Sequence, residues 1–311
     1  MITFTAAPKP FEGNIGAIQS RAIRSWRGAH PDVEVILYGE GSGISDAAAA
    51  LGVKHEPRIG TSETGVPRFD AIAEHAARSG RFERQIYLNC DILLPPDLLA
   101  RLAPIDLPEY LVVGQRIDLS PGVEFEIPAR DWPSAIRSLA RAARAELHSP
   151  TGVDYFVFRR GMWQGLPPLI VGRGGYDGAL VAFCLRRGIP VVDATWALPA
   201  LHQYHDYSHV TGGHTEAHFG CDALFNYRRH DVAPSPPNTA DANYQLRGGR
   251  LHAVECRDDA LRALEIRLRY RWGMKYASYV FRALSRVRAA LGLNSQRVIG
   301  LDELLGANGS K

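Results

Sequence analysis

The sequence predicts an α/β protein with a mostly parallel central sheet and helices on both faces. Three observations predict it. Short apolar runs of the fully buried strand type alternate with segments of helical period through the first 230 residues. One such run, residues 85–88, stops at Asn89, Cys90 and Asp91, and the carboxyl end of a strand is where open sheets receive ligands. A chain of 311 residues that is 46% hydrophobic and 22% charged has the material for one large core.

Residues 2–5 alternate as a short strand, and Pro8 and Pro10 make the following loop. Ile15, Ile18, Ala22, Ile23 and Trp26 then recur at helical spacing. Residues 33–38, apolar except for Glu34, read as a buried parallel strand closed by Gly39, Glu40 and Gly41. A second unit repeats the pattern: an alanine-rich helix over 45–51, a short strand over 53–55, and a helix marked by Phe69, Ile72, Ala73 and Ala76 before the strand that delivers Asp91. Residues 111–115 predict the next strand, 120–131 an irregular loop, and 133–147 an exposed helix. The run 152–158 is a strand carrying Asp154, Gly175 and Asp177 open a helix over 178–187, and strands at 191–194 and 197–201 deliver His202. Pro, Asn and Gly then crowd together, which predicts a linker or long loop over 232–256 after a domain spanning 1–231. Leucines, aromatics and valines every three or four residues predict one long basic amphipathic helix over 257–293, followed by a flexible tail over 294–311.

A net charge of +3 argues against a nucleic-acid partner. Cys90, Cys184, Cys221 and Cys256 form no CxxC pair, so neither a disulfide framework nor a thiolate zinc site is signalled. Neither a leader pattern nor a run of about 20 apolar residues occurs. The expectation is a cytoplasmic protein, or one at the cytoplasmic face of a membrane.

The first strand is followed by no dinucleotide glycine fingerprint and no GxxxxGK. A bound diphosphate would therefore depend on a metal or on basic side chains. Asp91 is either a ligand residue or the cap of a short helix after Pro95 and Pro96. Six of the eleven histidines (His202, His205, His209, His214, His218 and His230) lie between 202 and 230. His205 and His209 have the i, i+4 spacing of a hydrolase zinc site but lack the HExxH glutamate.

Taken together, the strand and loop from Thr3 to Pro10, the Tyr87-Leu88-Asn89-Cys90-Asp91 step, Gly175-Tyr176-Asp177 at a helix start and the strand ending in His202 resemble the GT-A fold nucleotide-sugar glycosyltransferases, bacterial family-2-like members in particular. The resemblance covers residues 1–230. It implies a sugar transfer from a nucleotide-diphosphate donor to a glycan or lipid-linked hydroxyl acceptor, inverting and dependent on Mn²⁺ or Mg²⁺, as in polysaccharide biosynthesis. In that pattern Asp91 holds the metal, with His202 or His205 completing its shell. Asn89 stands where the family has the first aspartate of Asp-x-Asp, which removes one negative charge. Thr3, Thr5, Ala6 and Pro8 match the loop that contacts the nucleoside, and Glu40 matches the acid that meets the base. Lys9, Arg68 and Arg116 are the candidates for the diphosphate. Asp177 matches the acid opening the acceptor-side helix and is the candidate general base, with Tyr176 in place of the usual preceding acid. Asp154 is the alternative base or an acceptor ligand, unless Arg159 or Arg173 holds it in a structural ion pair.

Two other functions stay open: a catalytically silent carbohydrate or nucleotide binding module, and a sugar nucleotidyltransferase. The C-terminal helix has three readings, packing on the domain, pairing in a homo-oligomer, or peripheral contact with an anionic membrane.

Overall fold

The computed structural model describes residues 1–125, 131–205, 212–232, 236–254, 260–274 and 276–290, together with Leu301 and Leu304. His209 and all but those two residues of the expected tail lie outside the described residues.

The first half follows the predicted alternation: β1 (Thr3–Ala6), α1 (Gly13–Arg27), β2 (Glu34–Tyr38), α2 (Ile44–Leu51), β3 (Lys54–Glu56), α3 (Phe69–Ser79) and β4 (Arg84–Leu88). After Asp91 come β5 (Ile92–Leu93), α4 (Leu98–Arg101), β6 (Leu111–Val113), β7 (Arg116–Leu119), α5 (Trp132–Arg141), β8 (Ala145–Leu147), β9 (Tyr155–Arg159), α6 (Tyr176–Arg187), β10 (Val191–Asp193) and β11 (Ala200–His202). The chain continues through α7 (Gly213–Phe219), α8 (Cys221–Arg229), β12 (Tyr244–Arg247), β13 (Arg250–Ala253), α9 (Ala260–Ile266) and α10 (Ala277–Ala290).

Nine strands form the main sheet in the order β13-β12-β10-β6-β9-β4-β1-β2-β3. Within it β9 is antiparallel to β4 and β6, β13 is antiparallel to β12, and the other neighbours are parallel. Both faces are covered, and the two-residue period of the strands divides the core between them. On β2, Val35 and Leu37 face one layer with Phe4, Ile86 and Trp26, while Ile36 and Tyr38 face the other with Phe69, Tyr87 and Phe156. Trp26 on α1 stacks on Phe4 and donates from Nε1 to the carbonyl of Ile92 at 2.8 Å, fixing the backbone just beyond Asp91.

A second, four-stranded sheet, β5-β11-β7-β8, stands at the carboxyl end of β4. Its register sets the site. Asp118 on β7 lies opposite His202 on β11, and His202 lies opposite Ile92 on β5.

Three expectations need correction. The helix predicted over 133–147 stops at Arg141, because Ala143 turns the chain at a φ of 51° and residues 145–147 pair with β7. The predicted linker contains the hairpin β12–β13, which extends the main sheet beside β10; Gly248 and Gly249, at φ of 56° and 69°, form its two-residue turn. The single long C-terminal helix is two helices: α9 runs into a π-helical turn over Arg267–Arg271, and the chain breaks at Gly273 with φ of 70° before α10. Leu301 and Leu304 pack against the core layer that holds Trp26.

Candidate functional site

The carboxyl ends of β1, β2 and β4, the second sheet and the start of α6 surround a cleft of about 1390 Å³. Asp91 lies on its floor, 6% exposed. Its Oδ2 accepts from His205 Nε2 at 2.9 Å, and Lys9 Nζ stands 3.5 Å from that oxygen and 3.2 Å from the same imidazole nitrogen. Burial alone would raise the Asp91 carboxyl, but the hydrogen bond from His205 and the charges of Lys9 and the two histidines outweigh it and hold the group well below the usual carboxylate range. Its other oxygen, Oδ1, is buried and has no hydrogen-bond partner.

Asp91, His202 and His205 each present one ligand atom, and those atoms lie within 4.8 Å of one another. One hard carboxylate oxygen and two imidazole nitrogens form a donor set for a divalent ion, and the orphaned Oδ1 is a buried acceptor that such an ion would satisfy. The residues present therefore fit the metal that the sequence implies.

The positions of these groups follow from the backbone. Gln203, 2% exposed, receives a bond on its side-chain oxygen from Arg21 and donates to the carbonyls of Ile18 and Asp91, while its own N–H donates to Asp91 O at 3.1 Å. The turn that separates His202 from His205 is thus tied to the residue both face. Across the sheet register, Asp118 Oδ1 lies 3.1 Å from His202 Nδ1, and Oδ2 lies 2.6 Å from His148 Nδ1. Asp118 is partly buried, but its bonds to the two histidines and the Arg116 charge hold it well below the usual range. A carboxylate on Nδ1 fixes the tautomer in which Nε2 is left as a ligand.

Asn89 does not face the presumptive ion. Its amide donates to Asp154 Oδ1 at 2.5 Å and its oxygen accepts from the Tyr176 hydroxyl at 3.2 Å. Burial raises the Tyr176 hydroxyl well above 10, so it remains a donor. Asp154 Oδ2 pairs with Arg116 Nη1 at 2.7 Å, and Arg116 Nε donates to Asp118 at 2.8 Å. The partner foreseen for Asp154 is therefore Arg116, and neither Arg159 nor Arg173. With Asn89 and Arg116 on its two oxygens, Asp154 braces the floor of the cleft and has little capacity left as a base.

Asp177 lies in the first turn of α6; Gly175 is the cap, against the expectation that Asp177 itself is. Gly175 has φ of 81°, and a Cβ there would meet the Tyr227 ring at 2.9 Å, so only glycine turns the chain this closely beneath α8. The Asp177 carboxylate accepts from the Gly178 N–H at 2.8 Å. Desolvation pushes its carboxyl up to about 6, the Asp154 charge adds to the rise, and the N–H bond and Arg116 oppose it.

Of the donor-side residues named from sequence, Pro8, Lys9, Glu40, Asn89, Asp91 and Arg116 line the cleft, as do Asp154, Asp177, His202 and His205. Thr3, Thr5, Ala6 and Arg68 do not. Thr3 Oγ1 donates to Glu34 and Thr5 Oγ1 to the carbonyl of Ile86, both inside the sheet, and Ala6 is buried in the core. Arg68 caps α3 and pairs with Asp70 at 2.7 Å. The first-strand loop reaches the cleft only from Ala7 onward, because β1 extends through residue 6. Asp118 and His148 were missed from sequence. The only signal for Asp118 was its place two residues after Arg116, on the same face of a strand.

No protein-family model and no curated protein matches the chain. Among solved structures it is similar to a mannosyltransferase from Pyrobaculum calidifontis in complex with GDP-Man and Mn²⁺, at 14% identity over 94% of this chain and 80% of that one, TM-score 0.44. It is similar also to glucosyl-3-phosphoglycerate synthase from Mycobacterium tuberculosis in complex with Mn²⁺, UDP-Glc and phosphoglyceric acid, at 14% identity over 76% and 81%, TM-score 0.43. A third, described only as a mycobacterial protein, is 16% identical over 65% of each chain, TM-score 0.37, so this chain spans about two thirds of its length. Likenesses of this size say nothing of this chain's donor or acceptor.

Proposed function

We propose that the chain is a glycosyltransferase that moves a sugar from a nucleotide-diphosphate donor to a hydroxyl acceptor with inversion, using a divalent metal. The observation that carries this reading is the convergence of Asp91 with His202 and His205, from 111 residues or more down the chain, beside an unpartnered buried carboxylate oxygen in a cleft that also contains Lys9, Arg116 and Asp177.

Asp91, His202 and His205 would hold the ion. When bound, such an ion neutralises charge on a departing nucleoside diphosphate. Two imidazoles among three protein ligands suit Mn²⁺ better than Mg²⁺, which prefers an all-oxygen shell. Lys9, fixed by reciprocal bonds between its backbone and Gln19, brings a point charge to the same place for the phosphates. Arg116 is engaged by Asp118 and Asp154 and serves to place them. A sugar hydroxyl is a poor nucleophile at neutral pH, and a carboxylate raised to about 6 is both ionised and basic enough to take its proton there. Asp177 is that base. Glu40, Tyr38 and Ile59 line the end of the cleft at the β2 edge of the sheet, where the nucleoside would lie.

A panel of nucleotide sugars, assayed for transfer or donor hydrolysis with Mn²⁺ and with EDTA on wild type and Asp91→Ala, tests the reading. Turnover with one donor that EDTA and the substitution both abolish supports it. Nucleotide affinity without turnover under every condition would leave the silent binding module.

A further inference from the structure

From Glu265 to Asp302 the sequence has no acidic residue between those two and eight basic ones. The described part of this stretch does not bury its large apolar side chains. Trp272 is 66% exposed, Tyr276 81%, Tyr279 61%, Val280 59% and Val287 56%, and Met274 and Leu284 are exposed as well. The π-helical turn before them is anchored: Tyr270 is buried beneath the Arg186 guanidinium of α6, and Arg269 donates to the carbonyl of Asp231 at 2.8 Å. On α10 only Ala277 and Phe281, one turn apart, face inward. Tyr276, Val280, Leu284 and Val287 follow one another at helical spacing along the outer side, with Arg282 and Arg286 exposed along the edge beside Tyr279.

A face destined for water would carry charge where this one carries valine, leucine and tyrosine, and monomeric proteins rarely leave so large an apolar stripe open. A face meant for the domain would be turned inward. An apolar stripe edged only by arginine, with Trp and Tyr at its start, has the chemistry of a helix that lies in the plane of an anionic bilayer, apolar side among the acyl chains and guanidinium groups among the phosphates. No described helix is long and apolar enough to cross a membrane, so the contact is one of docking.

We infer that the outer face of α10, with Trp272 to Tyr276 leading into it, is a docking surface for an anionic lipid bilayer. This stands apart from the transferase reading, and its test needs no turnover. Of the five tryptophans, Trp26, Trp132, Trp163 and Trp196 are buried and Trp272 alone is exposed, so the full chain carries its own probe.

The experiment is flotation of the full chain with vesicles of phosphatidylcholine alone and of phosphatidylcholine with phosphatidylglycerol, with tryptophan emission recorded alongside. The expected result is partition onto the anionic vesicles, little onto the neutral ones, and a blue shift that is absent in Trp272→Phe. Val280→Glu with Val287→Glu, both at exposed positions, abolishes partition with no fall in melting temperature. Arg282→Glu with Arg286→Glu leaves the apolar stripe intact and weakens partition at least about tenfold. The inference is overturned if wild type stays off anionic vesicles, if both double variants float as wild type does, or if wild type is a dimer in solution that the valine substitutions dissociate. The last result would assign the face to a second copy of the chain.

Discussion

Asp177 must be ionised before it can accept a proton from an acceptor hydroxyl, and its surroundings decide when that happens. Burial and the neighbouring Asp154 raise its carboxyl from the ordinary 3.8 to about 6, so kcat/KM rises with pH through about 6 and levels off above it. Asp177→Asn lowers turnover by roughly 10² to 10⁴ at all pH values and removes that limb. The same shift affects stability. Because the native carboxyl binds its proton more tightly than the unfolded one, the folded state is penalised as pH rises from about 4 to about 6. Asp177→Asn therefore melts above wild type at pH 8, and the difference fades below pH 4; thermal scans at the two pH values check it. A carboxylate that only capped a helix would give the opposite sign, since its substitution would destabilise. At the ion site, Asp118 touches no ligand atom's metal-facing side but holds His202 by Nδ1. Asp118→Asn is expected to weaken Mn²⁺ about 10- to 100-fold in a calorimetric titration, whereas Asp91→Ala and His205→Ala abolish binding.

At the scale of elements, the start of α6 decides whether Asp177 faces the cleft. Gly175 allows the tight entry beneath Tyr227, and Gly175→Ala combines a left-handed backbone with a 2.9 Å clash. The expected cost is about 1 kcal/mol or more in unfolding free energy, together with a fall in kcat larger than any rise in KM, read from chemical denaturation and steady-state kinetics. The alternation of strands and helices up to β4 was legible because those strands are buried on both faces and announce themselves as apolar runs. So was the convergence of residue 91 with a late histidine, since the ends of strands in such a sheet share one edge. What could not be read was the second sheet. Its strands are two to four residues long, too short for a period, and its register, which pairs Asp118 with His202, depends on contacts between segments more than 80 residues apart. Thr3 and Thr5 misled for a related reason. They alternate with apolar residues as ligand-facing groups would, yet their hydroxyls serve Glu34 and Ile86 inside the sheet. The hairpin β12–β13 was signalled by Gly248-Gly249 and obscured by the Pro-rich stretch before it.

For the whole molecule, the two sheets divide the work. The large sheet gives the rigid edge from which Lys9, Asn89 and Asp91 project, and the small one closes across it with Arg116, Asp118 and His202. Because the ligands come from opposite ends of the chain, an ion bound by all three ties β4 to β11, and its binding free energy adds to that of folding. Mn²⁺ is expected to raise the melting temperature of wild type, to raise it further with a nucleoside diphosphate, and to leave Asp91→Ala unchanged. The central claim is most directly tested by a crystal soaked in Mn²⁺ and a nucleoside diphosphate, with the anomalous difference map calculated at the manganese edge. The account predicts one strong peak within bonding distance of Asp91, His202 and His205, with phosphate oxygens on its open side next to Lys9. A map with no peak there, or with the ion held by other residues while Lys9 remains against Asp91, would contradict it.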